Sequence, residues 1–182
     1  IGILKKEWDV TVYYALYQQQ LGILRSSHIG NLTDLKNAID SDRPLIVEPF
    51  SYTISNPKQK TAHHLAKINV IKFLKNQQHA DITYSFQLNN RKEFDIRRGG
   101  RSEIPSLDMN LISNNILTSY TRTHSFKKAY RRQEGKTGLN FLAKQNTNNP
   151  ETGIRPLIPN YYQYSLGIFD MEKFVLNNYV IE

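Results

Sequence analysis

The sequence predicts an α+β fold in one domain over residues 1–182, with an antiparallel sheet of at least two hairpins packed against several amphipathic helices. Three observations lead there. Apolar residues recur at helix-compatible spacing in residues 4–24, 61–77 and 104–118; they alternate with polar residues in 82–97 and 161–181; and no linker is long enough to divide the chain. A chain of 182 residues, 39% hydrophobic and 11% aromatic, can bury a substantial core and is not expected to be disordered.

In chain order, Leu4, Trp8, Val12, Ala15, Leu16 and Ile23 predict a long amphipathic helix, although Val10-Thr11-Val12-Tyr13-Tyr14 also suits a strand. Asn31 or Thr33 caps a short helix through Ile39, since either side chain can accept a bond from a free helical N–H. Residues 45–47 and 50–54 read as strand material, and Asn56-Pro57 as a turn. A helix from Thr61 places Leu65, Ile68, Ile71 and Leu74 on one broad side. Ile82, Tyr84, Phe86 and Leu88 then alternate with polar residues, and Asn89-Asn90-Arg91-Lys92 is expected to turn the strand into a partner carrying Phe94 and Ile96. Helices follow over 104–118 and 125–134, and a terminal hairpin over 161–181 turns at Asp170–Lys173.

Charge supplies the functional expectation. The net charge is +8, and residues 91–136 hold eleven Lys and Arg against five Asp and Glu, so about a quarter of the chain carries +6 of it. Clustered cations favour a polyanion because they release its condensed counterions. The leading expectation is therefore a non-enzymatic nucleic-acid-binding domain, or a binder of another polyanion. Arg97, Arg98 and Arg101 would contact phosphate from a glycine-hinged loop, and Lys127, Lys128, Arg131, Arg132 and Lys136 from a helical stripe, with Tyr130 stacking on bases.

Two other classes stand beside it. An extracytoplasmic sensor or ligand-binding domain would account for the long first helix, the aromatic content and the missing initial Met. A metal-dependent nuclease could use Glu134 and Lys136 with a second carboxylate from Asp95 or Asp108. Gly135-Lys136-Thr137 is not a phosphate-binding loop, because the required earlier glycine falls on Tyr130. Without cysteine there are no thiolate sites, and adjacent His63 and His64 cannot converge on one ion from a helix, so no cofactor and no metal are expected. No apolar run reaches the roughly 18 residues of a spanning helix, so the chain is expected to be soluble, without a membrane segment. The expected compartment is the cytoplasm, or the periplasm or cell exterior for the sensor reading. A homo-oligomer or larger complex is compatible with the Tyr161, Tyr162 and Tyr164 cluster, of which Tyr162 and Tyr164 should share one sheet face.

Overall fold

Runs dense in β-branched and aromatic residues dictate the architecture, because such side chains are stiff about χ1 and pack well on a pleated surface. In a computed structural model, which describes residues 1–24, 31–44, 46–47, 49–95, 103–126, 131–176 and 179–182, the chain is one eight-stranded antiparallel sheet. The strands are β1 (Gly2–Lys5), β2 (Trp8–Gly22), β3 (Lys58–Phe73), β4 (His79–Phe94), β5 (Leu107–Phe126), β6 (Arg131–Asn148), β7 (Tyr161–Leu176) and β8 (Tyr179–Ile181). They lie side by side in chain order, each hydrogen-bonded to the next. One α-helix, α1 (Leu32–Ile39), stands in the connection between β2 and β3, where Asn31 caps it by accepting from the Asp34 N–H at 2.9 Å.

The expectation of several helices packed on a sheet is thus corrected to a sheet with one short helix among the described residues. The 4–24 segment is the β1–β2 hairpin, 61–73 is β3, 107–118 lies inside β5, and 125–134 covers the end of β5 and the start of β6. Spacing explains the error. Trp8, Val12 and Leu16 are four apart, and a step of four is a helical neighbour but also an even number, so it keeps the same face of a strand. In β5 the run Ser113-Asn114-Asn115 disfavours helix, since these side chains compete for backbone hydrogen bonds.

The hairpin expected at Asn89–Lys92 is corrected too: β4 runs straight through those residues to Phe94, and Asn90 instead donates across the ladder to Asn110 Oδ1 at 2.8 Å. The terminal hairpin exists, but β7 passes through Asp170–Lys173 and turns after Leu176. The described residues of 45–54 form no strand.

The six long strands hold 15 to 20 residues, about 50–65 Å at the usual rise. Among the described residues no second layer covers them. Among the described residues no aliphatic or aromatic side chain other than the Pro57 ring is buried, and the buried polar residues are Asp108, Ser119 and Asn146. The accessible surface is 13,959 Å², whereas a water-soluble monomer of 21.2 kDa is expected to expose roughly 9,000 Å². The sheet therefore shows its apolar residues instead of hiding them.

Candidate functional surface

Residues that face one another across an antiparallel ladder project to the same side, so the register sorts every strand position onto one of two faces. Four consecutive rows across β2 to β7 read Val10-Val70-Ile82-Thr118-Leu139-Ile168, Val12-Ile68-Tyr84-Ile116-Phe141-Leu166, Tyr14-Ala66-Phe86-Asn114-Ala143-Tyr164 and Leu16-His64-Leu88-Ile112-Gln145-Tyr162. Four rows of six make 24 positions, and all but Thr118, Asn114, His64 and Gln145 are apolar or aromatic. Tyr162 and Tyr164 share this face, as their spacing in the sequence implies.

Three of the four polar exceptions have a side-chain partner. Tyr84 donates to Asn114 Oδ1 at 2.8 Å, Tyr14 Oη lies 2.9 Å from His64 Nδ1, and Gln145 donates to Tyr162 Oη at 3.1 Å. A tyrosine from the neighbouring strand thus satisfies each of these three side chains, which lowers the cost of placing them in an apolar surround. Phe141 and Tyr164 stack with ring centroids 6.5 Å apart.

The opposite face has another chemistry. Its corresponding rows carry Thr11, Asn69, Thr83, Asn140, Lys67, Ser85, Asn115, Gln87, Ser113, Lys144, Asn89 and Asn146, with Leu65, Leu111, Leu117, Leu142 and Ala15 as the aliphatic members and Tyr13, Tyr17 and Tyr161 as the aromatic ones. Here Asn69 donates to Thr83 at 2.8 Å and Ser119 bonds Asp81. Beside Ser119, the Phe169 ring lies across Gly138, where a Cβ would collide with both that ring and the Thr118 carbonyl oxygen. On the central strands the polar face is the more enclosed, while Ile82, Tyr84, Ile116, Leu139 and Phe141 stand exposed on the apolar one.

The apolar rows end in polar ones at both borders. On one side come Trp8, Lys72, Tyr120, Thr137 and Asp170, with Lys72 Nζ 4.7 Å from the Trp8 ring centroid. Just beyond, Arg122 is paired with Glu172 and lies 3.4 Å from Asp170 Oδ1, and Gly135 leaves the space that the Arg122–Glu172 pair occupies. On the other side are the amides Gln18, Asn90 and Asn110, followed by Lys60, Lys92 and Asp108.

The residues expected from the charge pattern are distributed differently. Arg97, Arg98, Arg101, Lys127, Lys128 and Tyr130 lie outside the described residues, Arg131 and Arg132 open β6, and Lys136 is exposed on the polar face opposite Thr121 and Met171. The strand ends that flank the first group are Phe94 and Leu107, and those that flank the second are Phe126 and Arg131. They stand at opposite ends of the 20-residue β5, about 60 Å apart along the strand.

Glu134 and Lys136 share a strand and a face, but Asp108 sits toward the far end of β5 and bonds Lys92 at 3.5 Å, and Asp95 follows Phe94 at that same far end. Among the described residues no group of three or more His, Asp or Glu could hold a metal ion. His63 and His64 point to opposite faces, toward Asn89 and Tyr14 respectively. No helix among the described residues is long and apolar enough to cross a membrane.

What the charge-based reading missed is the pair of faces. The signal was present as period-two alternation over about nine residues in Trp8–Leu16, Ala62–Val70, Ala80–Leu88 and Ile112–Tyr120. No known protein family, no curated protein and no solved structure matches this chain.

Proposed function

We propose that this chain is part of the wall of a membrane-spanning β-barrel, with its apolar face against lipid and its polar face lining the interior. The observation that carries the reading is the apolar band, four rows deep and six strands wide with 20 of its 24 positions apolar or aromatic, on a sheet that no second layer of the described residues covers. Soluble proteins rarely leave so large a contiguous patch in water. On β2 to β5 the four rows span seven residues of each strand, and nine with the bordering row of Trp8, Lys72, Ala80 and Tyr120, which reaches the 9–11 that a tilted strand needs to cross hydrocarbon. Alternation of apolar-out and polar-in fits the pattern of such walls, and Trp8 and Tyr120 stand at one border where aromatic residues are favoured. Backbone groups in hydrocarbon must all be paired, and a chain-order antiparallel ladder pairs them across its interior strands. The lining of amides and hydroxyls would suit an aqueous interior and polar solutes. Spanning by strands is compatible with the lack of a spanning helix.

Trp8, the sole tryptophan, gives a direct test. It is 42% exposed at one border of the band. Mixing the full chain with phosphatidylcholine vesicles should shift its emission to the blue, and brominated lipids should quench it most when the bromines lie near the headgroups. Emission that stays at the water-exposed wavelength with every lipid refutes the reading.

A further inference from the structure

We propose that Lys58, Lys60 and Lys92 form a site for the phosphate of an anionic lipid headgroup at the outer border of the band. The inference rests on the membrane reading above and deepens it, and it gives the polyanion suggested by the charge a specific chemistry.

The three lysines share the apolar band's face of the sheet. Lys60 stands directly opposite Lys92, and Lys58 directly opposite Phe94. Like charges paired across a ladder are unfavourable by themselves, so the Lys60–Lys92 pairing is one that a bound anion would relieve. Lys58 and Lys60 converge further, their Nζ atoms 5.3 and 5.6 Å from the centroid of the same Phe94 ring. Among the described residues neither lysine meets a carboxylate; Lys92 has Asp108 Oδ2 at 3.5 Å. Together with Gln18, Gln20 and Asn90, Lys60 and Lys92 line an open depression of about 600 Å³. Ammonium and amide N–H groups are the donors that phosphate oxygens take.

Position selects the source of that phosphate. Ala62 follows Lys60 on the same face, then His64 with Leu16 and Leu88 beside it. The band begins four residues from Lys60, about 13 Å of strand, so a phosphate held by Lys60 would point its acyl chains across the Ala62 row toward the band. Lysines at such a border attract anionic lipid.

The full chain, purified in a neutral detergent, would be titrated with phosphatidylglycerol, with phosphatidylcholine of the same acyl chains, and with inorganic phosphate, and bound species counted by native mass spectrometry. Phosphatidylglycerol should be retained in preference to the other two. Each neutralised lysine is expected to lower its affinity about fivefold, and Lys58→Gln with Lys60→Gln together about 25-fold. Lys67→Gln with Lys144→Gln removes the same charge from the polar face and should leave retention within twofold.

Equal retention by the Lys58/Lys60 variant overturns the site, and an equal loss in the Lys67/Lys144 control reduces it to bulk charge. Inorganic phosphate that binds as tightly as the lipid overturns the lipid assignment. Failure of the chain to enter vesicles, read separately from Trp8, would overturn the membrane reading, whereas selectivity in detergent with a normal Trp8 shift supports both.

Discussion

A lysine at Ile116 separates a lipid-facing surface from a water-facing one. Ile116 lies in the middle of the band, flanked by Tyr84 and Phe141, and is 39% exposed. If that surface met water, Ile116→Lys would change stability by no more than about 0.5 kcal/mol, as exposed substitutions usually do. If it meets hydrocarbon, an ammonium near the midplane costs about 2–4 kcal/mol, or a shift of about 30-fold to several hundredfold in the folding equilibrium. The neighbouring Asn115 supplies the control, because its side chain projects to the polar face opposite Ser85 and Leu142. Asn115→Lys should stay within about 1 kcal/mol there. Both variants of the full chain would be folded into phosphatidylcholine vesicles and unfolded in urea, with the midpoints compared at constant slope. Equal midpoints for the two variants, or a larger loss for Asn115→Lys, would refute the assignment of the faces.

Other perturbations follow from contacts in the sheet. Tyr84→Phe strips Asn114 of its partner inside the band and should cost about 1 kcal/mol, while adding Asn114→Leu should restore the urea midpoint. Gly138→Ala drives a methyl group into both Phe169 and the Thr118 carbonyl, a loss of about 1–3 kcal/mol. Phe169→Leu on that background should recover only part of it, because the backbone oxygen stays in place.

Much of the sheet could be read in the sequence, and its extent could not. The 82–88 alternation was legible because every other residue changes character, and Asn31, one of the two cap candidates, because its side chain answers a local need; the terminal turn was misplaced at Asp170–Lys173, inside β7. The helical misreading of residues 4–24 and 61–77 arose where both faces of a strand carry bulky residues, as at Tyr13 and Tyr14 or at Val70 and Ile71. Two such faces satisfy a helical template by coincidence, and only the partner strand tells them apart. The band itself was illegible because each of its rows draws single residues from six strands spread over about 150 positions. Charge drew attention to residues 91–136, yet β4, β5 and β6 divide that stretch between two ends of the sheet.

Because each strand pairs only with its neighbours in sequence, the order of assembly is constrained by the connections. β3 and β4 are joined by residues 74–78, whereas residues 23–57 lie between β2 and β3. Closing a loop seven times longer costs about 1.7 kcal/mol more in chain entropy. The ladder from β3 onward can therefore zip hairpin by hairpin while the β1–β2 hairpin is still free. That first hairpin would dock last and be the first to part under load, which would make the β2–β3 ladder the seam of the sheet.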